Sequence, residues 1–167
     1  MGAARPFLRL VPEIGEVQPV VRFCGYCGAP PPESAEPTTS TTVCPSCELG
    51  VILTTSTLAA PQPGDPTLVI DGALSICAVS KAAEELLVVE EPDVVNRHIA
   101  ELLVPADAES RGLDNLISLV VSAARGDVPV HTAVVRPAGM FGVRYLARVG
   151  ACGPSTAALV VLSDDDV

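Results

Sequence analysis

Two pairs of cysteines constrain this chain more than any other feature. Cys24 and Cys27 stand in the run C-G-Y-C, Cys44 and Cys47 in C-P-S-C, and residues 28–43 separate them. A CxxC turn lets two sulfurs converge on one ion, and two such turns complete a tetrahedron at about 2.3 Å per zinc–sulfur bond. Two pairs at this separation have the spacing of a tetrathiolate zinc site. Gly25 and Pro45 place a small and a turn-forming residue inside the turns. Protein sulfur fills all four positions and leaves none open for a substrate, so the pattern predicts one structural zinc ion rather than a catalytic one. Iron in the same four ligands is the alternative, and thiolate preference favours zinc.

The surroundings of the quartet cannot form a core unaided. Residues 1–17 are a lead segment. Residues 18–53 form the small cysteine module, with a strand expected over Pro19–Tyr26 and another over Val51–Leu53. Between the turns, Gly28–Thr42 is rich in Pro, Ser and Thr and reads as an exposed loop. Residues 54–66, with Ala59-Ala60-Pro61-Gln62-Pro63-Gly64-Asp65-Pro66, read as a linker. A chelator is therefore expected to unfold residues 18–53 and leave the domain from Thr67 intact.

From Thr67 the patterning changes. Thr67–Ile70 and Ala73–Ala78 read as strands around the turn dipeptide Asp71-Gly72. Ser80 can cap a helix running through Leu87, and short helices are expected around Pro92–Val95 and Ile99–Leu103. A long amphipathic helix is expected over Ala106–Arg125, with Leu113, Leu116, Ile117, Val120 and Ala124 on one stripe and Gly126 ending it. Three strands follow: Val128–Arg136, Phe141–Val149 and Ala157–Leu162. Pro137-Ala138-Gly139 and Gly150–Ser155 form the turns between them. Sequential strands usually pair, so the expected class is α+β: a five-stranded antiparallel sheet over residues 67–163 with helices on one face. Residues 164–167 are an acidic tail.

That element order, with particular residues at its joints, resembles the PAS domain family over about residues 66–163. Leu68-Val69-Ile70-Asp71-Gly72 resembles the opening strand and turn. Ser80-Lys81-Ala82-Ala83-Glu84-Glu85-Leu86-Leu87 resembles the family's N-x-A-A-E-E-L-L helix. Asn96-Arg97-His98-Ile99-Ala100-Glu101-Leu102-Leu103 is similar to G-R-x-I-x-E-L-L, and Pro105-Ala106-Asp107 to P-x-D. Three positions depart: Ser80 replaces an Asn, Val88 a Gly, and Asn96 a second Gly, where Asn also tolerates a left-handed backbone. The resemblance implies a sensory domain that binds a small ligand in its cavity or a partner protein, with a homodimer through the helix face as a further option. Flavin-type members would show an Asn-Cys-Arg-Phe-like run, and haem-type members a His on the long helix. Neither is found, which disfavours both cofactors. The cysteine module resembles a zinc ribbon. Rubredoxin, with iron at two CxxC turns, is packed with aromatics, of which only Phe23 and Tyr26 are available here.

Charge narrows the partners. The formal net charge of the chain is −10. Residues 1–60 carry three Arg against five acids, and residues 61–167 seven bases against fifteen acids. No Lys/Arg cluster and no Trp offers a nucleic-acid surface, which disfavours direct nucleic-acid binding. No stretch approaches the roughly 20 apolar residues of a membrane span, and no secretory signal is evident. A cytoplasmic location is expected, where CxxC pairs favour metal over disulfides. Nine Arg against one Lys, with abundant Ala and Val, points to a bacterial source.

The remaining chemistry-bearing residues have plain readings. Cys77 is expected buried in a strand and Cys152 exposed in a turn, His98 bonds locally at a helix start, and His131 lies on a strand. No nucleophile–base or paired-carboxylate arrangement stands out, so an enzyme is not expected. The leading expectation is a non-enzymatic sensory or adaptor protein. A transcription-associated regulator contacting RNA polymerase or nucleic acid through the ribbon is an alternative, and a rubredoxin-like iron electron carrier a second.

Overall fold

The computed structural model describes residues 19–32, 43–106, 116–127 and 129–164. Two strands come from the cysteine module, β1 (Val20–Cys24) and β2 (Ile52–Ser56). The second part opens with β3 (Thr67–Asp71) and β4 (Ile76–Val79). Asp71 sets the turn between them: its Oδ1 accepts from the N–H groups of Ala73 and Ser75, each at 2.9 Å. Ser80 then does two jobs. Its hydroxyl oxygen accepts from Ala83 N–H at 3.2 Å, capping helix α1 (Lys81–Leu87), and from Thr67 N–H at 2.8 Å, fixing the start of β3. Two positions where the resembled pattern carries Gly are left-handed here, Val88 (φ +55°) and Asn96 (φ +68°). The backbone at both joints demands that region whatever side chain occupies it.

Helix α2 (Glu91–Val94) follows. The helix expected over Ile99–Leu103 is a 3-10 turn over Ile99–Glu101, and Leu103–Pro105 is strand β5. Helix α3 is described over Leu116–Ala124 and ends at Gly126 (φ +85°). The first part of the helix expected over 106–125 lies outside the described residues, as do residues 1–17, most of the loop between the cysteine turns, and the end of the acidic tail. The closing strands are β6 (His131–Pro137), β7 (Tyr145–Gly153) and β8 (Ala157–Asp164).

The strands form one antiparallel sheet of eight, not five. The order β1-β2-β7-β8-β3-β4 is its main path, with β6 on β7 and β5 on β6. Two additions account for the difference: β5, and the hairpin of the cysteine module. β7 makes the second addition possible because one of its edges is shared. Tyr145–Val149 pairs with β6, and beyond it Cys152 and Gly153 pair with Thr55 and Thr54 of β2. The run Gly150–Ser155, expected as a turn, is mostly strand. Its glycines serve close approach: a Cβ on Gly150 would stand 2.5 Å from Ala59 Cβ, and one on Gly153 2.6 Å from Thr54 Oγ1.

Alternation along β8 shows that both faces of the sheet are covered. Ala158, Val160 and Leu162 join the larger core with Leu68, Ile70 and Ile76, under the helices. Ala157, Leu159 and Val161 join Val69 and Cys152 on the other face, where Phe23 and Leu53 of the hairpin close over them. Helices therefore lie on one face, as expected, and the cysteine hairpin covers part of the other. Phe23 keeps 2% of its surface exposed. Truncating such an aromatic costs about 3 kcal/mol. Phe23→Ala should lower unfolding stability by about that amount in chemical denaturation, and Phe23→Leu by less than about 1.5 kcal/mol. A Phe23→Ala protein as stable as the parent would mean that the hairpin does not rest on the sheet.

Candidate metal centre

The two cysteine turns are built alike, twenty residues apart in number. Gly28 N–H donates to Cys24 C=O and Glu48 N–H to Cys44 C=O, both at 2.9 Å. The residue after each second cysteine is left-handed, Gly28 at φ +73° and Glu48 at φ +58°. Backbone N–H groups then point at sulfur: Tyr26 and Cys27 donate to Cys24 Sγ at 3.4 Å, Ser46 to Cys44 Sγ at 3.4 Å, and Gly50 to Cys47 Sγ at 3.5 Å. Donors in this arrangement stabilise thiolates.

The β1–β2 ladder brings the turns together. Cys24 is the register partner of Ile52, Gly25 N–H donates to Val51 C=O at 2.9 Å, and Cys44 N–H to Gly50 C=O at 2.7 Å. All four sulfurs consequently lie within 4.8 Å of one another, a set that can hold a metal ion. Cys24 and Cys47 stand 3.6 Å apart at sulfur, and Cys27 and Cys44 3.9 Å apart. A tetrahedron with zinc–sulfur bonds of about 2.3 Å has edges of about 3.8 Å, so the donor set fits such an ion. Cys24 and Cys44 are buried, and Cys27 and Cys47 half-buried.

The thiols are unequal without an ion. Burial pushes Cys24 up to about 12 and also raises Cys27. The Gly50 N–H, with that of Leu49, brings Cys47 down to about 6. A metal ion entering the site must displace protons from Cys24 and Cys27, so its hold weakens as pH falls.

The site is anchored beyond its own hairpin. Lys81 N–H, at the start of α1, donates to Tyr26 C=O at 3.0 Å. Residues 62–64 lie against the first turn, where a Cβ on Gly28 would meet Gln62 O at 3.1 Å and Pro63 Cα at 3.2 Å. The segment read as a linker thus packs on the quartet, and its first residues Thr54–Ser56 belong to β2.

The exposures expected for Cys77 and Cys152 are reversed. Cys152 is buried in β7 on the hairpin-covered face, and burial pushes its thiol up to about 12. Cys77 is exposed, at the irregular pairing of β3 with β4, and partial burial and then Asp71 raise its thiol. The sequence signal missed was the extent of β7, which carries Cys152 into the sheet. His98 bonds locally as expected: its Nδ1 accepts from Ala100 N–H at 3.1 Å. His131 opens β6 and is exposed.

No family model matches this chain, and no curated protein matches it. Among solved structures, it is similar to the PAS domain of nitrogen regulation protein NR(II) from Vibrio parahaemolyticus. The TM-score is 0.39 at 20% identity, over 66% of this chain and 99% of that one.

Gly50 is the tightest point of the centre. A Cβ there would stand 2.5 Å from Cys24 Sγ and 2.6 Å from Tyr26 Cβ. Gly50→Ala should weaken metal binding by about tenfold or more, read by competition with a chromophoric chelator. Gly72→Ala, with nothing within 4 Å of its new Cβ, is the control. Equal affinity of Gly50→Ala and parent would refute the described packing of the two turns.

Proposed function

We propose that this protein is a non-enzymatic sensory or adaptor protein. In this reading a PAS-like sheet domain, roughly residues 67–163, carries a structural zinc clip made by residues 18–53. One observation carries the proposal. The four sulfurs form a closed set of tetrahedral size, and the hairpin that holds them is paired into the sheet through β2 and β7. A closed tetrathiolate offers substrate no coordination position, so its role is to fix structure. What it fixes is one wall of the sheet domain, not a detached bead.

The order of elements supports the PAS-like part: two strands, short helices, a longer helix and three antiparallel strands. Ser80 capping α1 and the left-handed Asn96 also support this reading. Between α3 and the sheet, Leu68, Ile70, Val120 and Val160 are each fully buried. Side chains thus occupy this part of the interior, which favours a partner protein over a bulky ligand as the recognised species. Among the described residues no helix is long and apolar enough to cross a membrane.

The metal assignment has a direct test. Purified protein should be colourless and contain one zinc per chain by elemental analysis. Acidification or a chelator should release that zinc as the thiols recover their protons. A red protein with stoichiometric iron would replace the clip with an electron carrier.

A further inference from the structure

A cleft of about 450 Å³ lies between the cysteine hairpin and the β4–α1–α2 region. One wall is Tyr26, Leu49, Gly50 and Val51, from the hairpin. The other includes Cys77, Ala78 and Pro92. Leu49 stands at its rim with 71% of its surface exposed. Two carboxylates, Glu84 and Glu91, line the same cleft, and both are half-buried.

The carboxylates are held in place by backbone donors. Glu84 Oε1 accepts from Glu91 N–H at 2.7 Å, and Glu91 Oε1 accepts from Val79 N–H at 3.0 Å. A carboxylate can accept more than one donor, so one backbone bond does not saturate either group. Neither is paired with a cation among the described residues; the ion pair on this side of the molecule joins Arg97 to Glu101. Two fixed, uncompensated carboxylates between apolar walls and an aromatic ring form an environment that a cation relieves. Beyond Glu84 the surface continues into a wide concavity lined by Glu85, Glu90 and Asp93 around the exposed Val88, with Arg97, paired to Glu101, also on its wall. The net charge of that lining is negative, and the apolar lining extends past the reach of one side chain.

We infer that this cleft binds a basic peptide segment of a partner protein. An Arg or Lys enters between Glu84 and Glu91, and apolar neighbours rest on Leu49 and Tyr26. The inference rests on the clip reading for one of its walls, since Tyr26, Leu49, Gly50 and Val51 are held where they are by the quartet. It adds to that reading the chemistry of the partner.

The test is a titration of isotope-labelled, zinc-loaded full-length protein, followed by amide chemical shifts. The probes are acetyl-Ala-Leu-Arg-Leu-Ala-amide and the same peptide with Gln in place of Arg. The Arg peptide should shift the amides of Tyr26, Leu49, Cys77 and Glu91 and bind about tenfold more tightly than the Gln peptide, a difference of about 1.4 kcal/mol. The E84Q/E91Q variant keeps both backbone bonds through its amide oxygens and should bind the two peptides alike, with an unchanged thermal midpoint. Equal binding of the two peptides to the parent protein, shifts confined to other surfaces, or full Arg-peptide affinity in E84Q/E91Q would each overturn the proposal. Binding of n-butylguanidine as tight as that of the Arg peptide would overturn a peptide as the occupant. Arg-peptide binding that survives zinc removal yet is lost in E84Q/E91Q would overturn the clip reading and leave the cleft standing.

Discussion

Two register pairs, Thr54 with Gly153 and Thr55 with Cys152, join the cysteine hairpin to the sheet. So short a ladder is weak by itself, since each backbone hydrogen bond nets only about 1 kcal/mol. Its neighbours reinforce it. Thr55 Oγ1 donates to Ala151 C=O at 2.7 Å, Phe23 closes over Leu159 and Val161, and the start of α1 bonds to Tyr26. Each contact requires the hairpin to keep its shape, and the hairpin keeps it through the two cysteine turns. Its own buried cluster is Cys24, Cys44 and Ile52, too small to hold a fold without a cross-link.

This dependence runs in both directions. An ion in the quartet would hold the four thiols together against the burial that raises Cys24 and Cys27. The outer face of the sheet needs the hairpin, because Val69, Leu159 and Val161 would otherwise meet water. A cysteine quartet that looks local in sequence thereby bears on apolar surface of β8, more than a hundred residues away. The cleft beside Tyr26, built across that seam, inherits the same dependence.

Much of this was legible in the chain, for reasons that can be named. The quartet is a spacing signal, and spacing survives without tertiary context. The cap at Ser80 and the stop at Gly126 are local rules of helix ends. The joining of the two parts was harder to see. Thr54–Ser56 carry no strong strand pattern and sit beside a Pro-rich run, so they read as the start of a linker. Gly150 and Gly153 read as turn residues, whereas the backbone uses them for close approach to Ala59 and Thr54. The same error in strand ends put Cys152 outside the sheet, whereas Cys77 is exposed at the irregular pairing of β3 with β4. One signal did point the right way: Ala157–Leu162 is apolar at every position, not alternating, as befits a strand covered on both faces.

The central claim is that the cysteine hairpin is part of the sheet. Hydrogen exchange followed by mass spectrometry, with and without a zinc chelator, tests it most directly. Removing the ion should deprotect β1 and β2 and, with them, Cys152 and Gly153 of β7, and it should speed exchange along β8, while α1 and α3 stay protected. Loss of protection confined to residues 20–56, with β7 and β8 unchanged, would contradict the account and restore two independent modules.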